Sequence, residues 1–84
     1  MNNVIKPILL PSQCKIARSM LGWNQDILSV ESGVSKPTIA NFERGISIPY
    51  KRTLKDLKNC FLLEGIDFEE NEEKFIFSIL KKNI

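Results

Sequence analysis

The polar side chains that indicate a binding function lie between Lys36 and Arg44. If this stretch is a helix, Ile39 and Phe42 are three residues apart and face inward together. The opposite side then presents two cations and one amide, from Lys36, Arg44 and Asn41. Ammonium, guanidinium and amide groups donate hydrogen bonds to anionic and carbonyl acceptors. The pattern therefore indicates a helix face that meets something polar and negatively charged.

This face belongs to the second of two short helices that meet at Gly33. A glycine at such a corner tolerates a positive φ at little cost, because it has no Cβ. Ile27 and Leu28 give the first helix an apolar face, and Ser35 is placed to cap the second helix. The sequence thus predicts a helix–turn–helix arrangement in which a polar helix is held against an apolar one.

The stretch resembles the helix-turn-helix of the lambda-repressor/Cro-like (Xre-type) family of prokaryotic and phage transcriptional regulators. The resemblance covers about residues 12–66 and rests on Gln25, Gly33-Val34-Ser35, Ile39 and Glu43-Arg44-Gly45. It implies a mainly α fold, a compact four-helix lambda-repressor-like DNA-binding domain with its motif at about residues 24–43. Two positions depart from the family pattern: Ser29 replaces an alanine, and Pro37 stands where a polar base-reading residue is common.

The resemblance also implies a set of site residues for sequence-specific binding of double-stranded DNA. Base contacts would come from Lys36, Pro37, Thr38 and Asn41. Backbone contacts would come from Asn24, Gln25, Ser35, Arg44, Lys51 and Arg52. An internal ion pair between Arg18 and Glu43 would join the first helix to the third. Phosphate contact remains an alternative for Lys36 and Asn41, and a position in the first helical turn is an equally good explanation of Pro37.

Capping residues predict the bounds of the four helices. Three polar residues are expected as N-caps, namely Ser12, Asn24 and Ser35. Glycines are expected to stop the first, third and fourth helices. The predicted helices cover about residues 12–22, 24–31, 35–45 and 53–64. Residues 1–11 then form an N-terminal arm, and Lys51 and Arg52 lie in a loop before the fourth helix.

The C-terminal extension, residues 67–84, is less clearly defined by its pattern. The apolar stretches at residues 66–68 and 75–80 flank the acidic residues 69–73. Aromatic and β-branched residues favour strands. The apolar positions 75, 76, 79 and 80 also fit a helix. We expect a short β-hairpin, and we consider the extension a possible dimerisation element.

Charge is distributed unevenly along the chain, whose formal net charge is only +2. Residues 12–60 contain eight cations and four anions, and residues 61–84 contain three cations and six anions. Phosphate binding depends on local positive charge rather than on the total. The basic part coincides with the predicted helix-turn-helix domain, so the acidic extension is expected to point away from DNA.

The sequence has few features that would indicate metal binding, catalysis or membrane insertion. There is no histidine, and the two cysteines, Cys14 and Cys60, lack metal-ligand spacing and fall on apolar helix faces. We therefore expect no metal, no cofactor and no enzymatic activity. No apolar run approaches the roughly 20 residues that span a bilayer, so we expect a cytoplasmic protein without a membrane partner.

One recognition helix covers few base pairs, so a homodimer on a palindromic operator is expected. The alternative function is an antitoxin-like or other protein-interaction module, whose C-terminal segment would bind a partner protein.

Overall fold

The structure, a computed structural model, describes residues 7–70 and 75–79, with side chains described as far as Phe68. Its helices are α1 (Pro11–Leu21), α2 (Gln25–Ser32), α3 (Lys36–Glu43) and α4 (Lys51–Leu63). The strands β1 (Ile66–Glu70) and β2 (Phe75–Ile79) follow. The prediction of a mainly α, four-helix fold is confirmed. Most of the predicted N-terminal arm, the centre of the acidic stretch and the end of the extension lie outside the described residues.

Helix α1 has its N-cap two residues earlier than predicted. Its N-cap is Leu10, and Pro11 occupies the first turn, where its missing N–H is not needed and its fixed φ fits the helix. The backbone N–H of Leu10 donates to Gln13 Oε1 at 2.9 Å. The prediction that Ser12 caps this helix is therefore wrong. Gly22 ends the helix with a φ of 70°.

The caps of α2 and α3 are the predicted residues. Asn24 Oδ1 accepts from the Ile27 N–H at 2.8 Å, and Ser35 Oγ accepts from the Thr38 N–H at 3.4 Å. Helix α3 ends at Glu43 with Arg44 as its C-cap, and Gly45, whose φ is 75°, stops the helix as predicted.

The start of α4 differs from the prediction in a way that bears on the site. The helix begins at Lys51, with Tyr50 as an N-cap that makes no side-chain capping bond. Lys51 and Arg52 are therefore residues of the first helical turn, and their assignment to a loop is wrong.

One apolar core joins the four helices to the first strand. Its fully buried side chains include Leu28, Ile39, Phe42 and Phe61. Leu9 also belongs to this core, with 2% of its surface exposed, although its position had suggested an arm. Ile8 and Leu9 thus pack against the helical domain that follows them.

The described part of the extension is an antiparallel hairpin, as predicted, and the helical alternative is wrong. Its register pairs Ile66 with Ile79 and Phe68 with Phe77. Ile66 is 1% exposed, and the ring of Phe68 meets that of Phe61 edge-on at 6.0 Å. The hairpin is therefore attached to the helical core through its first strand. Among the described residues, no helix is long and apolar enough to cross a membrane.

Candidate nucleic-acid interface

The corner between α2 and α3 is fixed by hydrogen bonds from two serines. Gly33 adopts a φ of 79°, as the sequence predicted. Ser29 Oγ donates to the carbonyl of Val34 at 2.6 Å. Ser32 Oγ donates to the carbonyl of Leu28 at 2.6 Å and accepts from the Val34 N–H at 3.1 Å. Ser29, which replaces an alanine of the family pattern, thus contributes to the geometry of the turn.

Helix α3 has two chemically different sides. Ile39 and Phe42 are 0% and 2% exposed and anchor the helix in the core. The predicted base-contacting residues lie on the accessible side: Lys36 and Pro37 are exposed, and Thr38 and Asn41 are half-buried. This arrangement matches the prediction that the helix buries one face and presents a polar one.

The four candidate base-contacting residues differ in the ion pairs and hydrogen bonds that their side chains already make within the protein. Lys36 Nζ lies 3.1 Å from Asp26 Oδ1, and both side chains are largely exposed. The Thr38 and Ser35 hydroxyls are joined by a hydrogen bond of 2.8 Å. Within the described chain, the Asn41 side-chain amide makes no hydrogen bond, although its backbone carbonyl accepts from the Ile46 N–H at 2.9 Å. Among the described residues, Lys36 and Thr38 have side-chain partners, whereas the Asn41 amide is available for an external contact.

The Lys36–Asp26 pair was missed by sequence reasoning. The two residues stand ten positions apart on different helices, so no helical spacing relates them. Only the turn at Gly33 brings the first turn of α2 close to the first turn of α3. The contact between Lys36 and Asp26 therefore depends on the angle between α2 and α3.

Several candidate backbone contacts occupy the ends of helices. Asn24 caps α2, and Arg44 is the exposed C-cap residue of α3. Lys51 and Arg52 are exposed on the first turn of α4, where backbone N–H groups have no intrahelical acceptor. Cations at a helix N-terminus oppose the helix dipole. Their placement there makes this end of α4 strongly electropositive.

Arg18 and Glu43, expected as an ion pair, form a two-pronged contact between α1 and α3. Arg18 Nε donates to Glu43 Oε2 and Arg18 Nη2 to Glu43 Oε1, both at 2.8 Å. The remaining Arg18 nitrogen, Nη1, donates to the carbonyl of Trp23 at 2.8 Å. The side chains are 17% and 3% exposed. Such paired, parallel bonds are the strongest form of this interaction.

Two further donors complete the shell around the Glu43 carboxylate. Gln25 Nε2 donates to Oε1 at 3.0 Å, and the Cys14 thiol donates to Oε2 at 3.1 Å. Burial alone would raise the pKa of Glu43, but hydrogen bonds from Arg18, Gln25 and Cys14 outweigh it, and the pKa is lowered. Glu43 therefore stays ionised in the folded protein, and its carboxylate links α3 to α1 and α2.

Burial keeps both thiols protonated. Burial, together with the hydrogen bond to Glu43, raises the pKa of Cys14 far above its ordinary value. Burial, with the nearby charges of Glu31 and Glu64, raises the pKa of Cys60 to about 11. Since the thiolate is the reactive form, both cysteines are poor nucleophiles.

Gln25 has a role that its sequence position did not reveal. The prediction placed its amide on a phosphate, at the N-terminus of α2. The structure directs one of its N–H groups to Glu43. An amide nitrogen carries a second hydrogen, so an outward contact and this internal one are compatible. Gln25 thus links the candidate interface directly to the ion pair in the core.

Comparison of the chain with known protein families and with curated proteins found no match.

Proposed function

We propose that this protein binds double-stranded DNA sequence-specifically, with α3 in the major groove, and thereby regulates transcription in the cytoplasm. The observation that carries the proposal is the corner of α2 and α3, which buries Ile39 and Phe42 and leaves a polar, cationic helix face accessible. A B-DNA major groove is wide enough to admit one helix, and helix-turn-helix proteins place their second helix there. The resemblance to lambda-repressor/Cro-like regulators supports the same function.

The proposed contacts divide into two classes. Lys36 could donate to guanine O6 and N7, and Asn41 could pair with adenine N6 and N7. Arg44 and the first turn of α4 would contact phosphates, which position a protein on DNA without specifying sequence. The cations Lys51 and Arg52 stand beside first-turn backbone N–H groups, which have no intrahelical acceptor, and this combination suits a phosphate oxygen.

The direct test is selection of bound sequences from a pool of random DNA duplexes by the full chain. A sequence-specific protein should enrich one motif, and the spacing of repeated half-sites would reveal its symmetry. Recovery of an unchanged pool would contradict the proposal.

Replacing Arg44 with alanine is expected to weaken binding to all duplexes by a similar factor, because a phosphate contact carries no sequence information. The slope of log K against log salt should become shallower by about 0.9, the value for one phosphate contact. Filter binding or fluorescence anisotropy at several salt concentrations would measure both quantities. The matched control is Lys15→Ala, which removes an exposed cation from α1. A selective loss for one base-pair variant would show that Arg44 reads sequence.

We further propose that the protein binds a palindromic operator as a homodimer. A two-fold axis would place two copies of α3 about 34 Å apart, in successive major grooves. Two parts of the chain could supply the contact: the hairpin, and the loop before α4. In that loop Ile46, Ile48 and Tyr50 are 61%, 83% and 87% exposed.

Deletion of residues 67–84 is expected to convert the dimer to a monomer and to weaken operator binding sharply. The deletion also removes Phe68 from its contact with Phe61, so the melting temperature should fall while helical circular dichroism at low temperature is retained. Sedimentation velocity would measure the association state.

Ile48→Glu provides the comparison, because it alters the exposed loop and leaves the hairpin intact. Dissociation by Ile48→Glu alone would place the dimer contact in the loop. A full-length protein that sediments as a monomer at tens of micromolar would contradict the dimer.

A further inference from the structure

Gln25 stands at the boundary between the candidate interface and the buried ion pair. It is the first residue of α2, it is half-buried, and its Nε2 donates to Glu43 Oε1 at 3.0 Å. An amide nitrogen carries two hydrogens, and the second one has no acceptor among the described residues. One hydrogen of this side chain is therefore held by the protein, and the other is available to an external acceptor.

The carboxylate that holds Gln25 is itself fixed in place. Two nitrogens of Arg18 donate to the two oxygens of Glu43, each at 2.8 Å. The Glu43 side chain is only 3% exposed, so it has little room to move toward solvent. Arg18 also balances the charge of the carboxylate, so the pair as a whole adds no net charge beside the DNA. The Gln25 amide is thus bound to a rigid and neutral pair.

The chemistry of the carboxylate also determines which end of the amide it binds. An ionised carboxylate accepts hydrogen bonds and donates none. It therefore selects the NH2 end of the Gln25 side chain and not the carbonyl end. The contact with Glu43 restricts both the position and the orientation of this amide.

We infer that Glu43 is a positioning residue for DNA binding, which holds the Gln25 amide in place to donate its second hydrogen to a DNA phosphate. The inference rests on the proposed function, in which Gln25 contacts the DNA backbone. It gives a buried carboxylate at the end of α3 a part in DNA binding that a purely structural ion pair would not have.

The physical basis is preorganisation. A free glutamine side chain samples several rotamers, and it loses that freedom when it binds a ligand. The bond to Glu43 imposes part of this loss when the protein folds, so a phosphate meets an amide that is already oriented. Without that bond Gln25 could still reach the phosphate, but each binding event would have to immobilise the side chain.

The test replaces the ion pair by apolar residues, Arg18→Met together with Glu43→Leu, in the full chain. The net charge is unchanged and no buried charge is left unpaired, so the protein is expected to fold. Its affinity for the duplex selected from a random pool should fall by about two- to ten-fold, the cost of immobilising one side chain. The fall should disappear in a Gln25→Ala background, where no amide remains to be held. Fluorescence anisotropy would measure these affinities at a temperature at which circular dichroism shows every variant folded.

Cys14→Ala is the matched control, because it removes a donor to the same carboxylate without touching the bond to Gln25. The thiol donates to Oε2, whereas Gln25 donates to Oε1, and Arg18 still binds both oxygens. This substitution in the core should lower the melting temperature and leave the affinity for DNA unchanged.

A second measurement needs no variant. Nitrogen-15 relaxation of side-chain amide groups in the unmodified protein, free of DNA, should show the Gln25 NH2 group to be rigid. The internal reference is Asn41, whose side-chain amide makes no hydrogen bond within the described residues and should be mobile.

Three results would overturn this inference alone. They are an unchanged affinity after Arg18→Met with Glu43→Leu, an equal fall in the Gln25→Ala background, and a Gln25 amide as mobile as that of Asn41. The last result does not depend on the folding of any variant. Failure of the unmodified protein to bind any duplex would overturn the proposed function and the inference together.

Discussion

Replacing Arg18 with alanine should destabilise the protein more than loss of any exposed cation, by about 3–5 kcal/mol. The substitution leaves the Glu43 carboxylate, 3% exposed, without its only cationic partner among the described residues. It also leaves the carbonyl of Trp23 without the donor at 2.8 Å. Native domains are stable by only about 5–15 kcal/mol, so this loss is a large part of the total. Urea and thermal unfolding, followed by circular dichroism, would measure it.

The control is Lys15→Ala, which removes an exposed cation from the same helix and should change the free energy of unfolding by less than about 0.5 kcal/mol. Arg18→Lys should be intermediate, because a lysine keeps the charge and loses the two parallel hydrogen bonds. If Arg18→Ala and Lys15→Ala melted at the same temperature, Arg18 would be an ordinary surface residue.

Acid titration gives a second measurement of how much the Arg18–Glu43 pair contributes to stability. The pKa of Glu43 is lowered in the folded state, so its contribution to stability is present above the unfolded pKa of about 4.3 and is lost as the pH falls through the folded value. Without Arg18, burial would instead favour the protonated carboxyl group. The stability difference between the wild type and Arg18→Ala should therefore narrow below about pH 4.

The features that sequence alone predicted well are local. Asn24 and Ser35 cap helices because their side chains reach N–H groups three residues ahead, and Gly22 and Gly33 turn the chain because they lack a Cβ. Failures occurred where two local signals compete. Ser12 is a good capping residue, but the adjacent Pro11 fits the first helical turn, so α1 begins closer to the N-terminus than predicted.

The hairpin illustrates a different limit. Its second strand is rich in aromatic and β-branched residues, which favour a strand, but its apolar positions also fit a helix, so the sequence pattern alone could not decide. The structure decides through antiparallel pairing with β1, in which Ile66 is buried and Phe68 packs on Phe61.

Most of the unforeseen geometry at the candidate site involves residues that are distant in sequence. Arg18 and Glu43 were paired by resemblance alone, and no spacing indicated that Cys14 and Gln25 would donate to the same carboxylate. The contact of Lys36 with Asp26 likewise depends on the angle of the corner. Side-chain partners across helices follow from packing, which a pattern along one chain does not contain.

Replacing Asn41 with alanine is expected to have the largest effect on sequence recognition. One well-formed side-chain contact to a base discriminates by about 1–3 kcal/mol, or roughly five- to 150-fold in affinity. Affinity for the selected duplex should fall by such a factor, with little change for a scrambled duplex. Since the Asn41 amide makes no hydrogen bond within the described residues, the melting temperature should hardly change.

The informative measurement repeats the sequence selection with the Asn41→Ala protein. If Asn41 reads adenine, preference should relax at one base pair of each half-site and persist at the others, because contacts at separate positions contribute nearly independently. Arg44→Ala serves as the comparison, since loss of a phosphate contact should lower affinity without altering the selected motif. A uniform loss for Asn41→Ala, with the motif unchanged, would instead assign Asn41 to the backbone. Base recognition would then depend on Lys36 and Thr38.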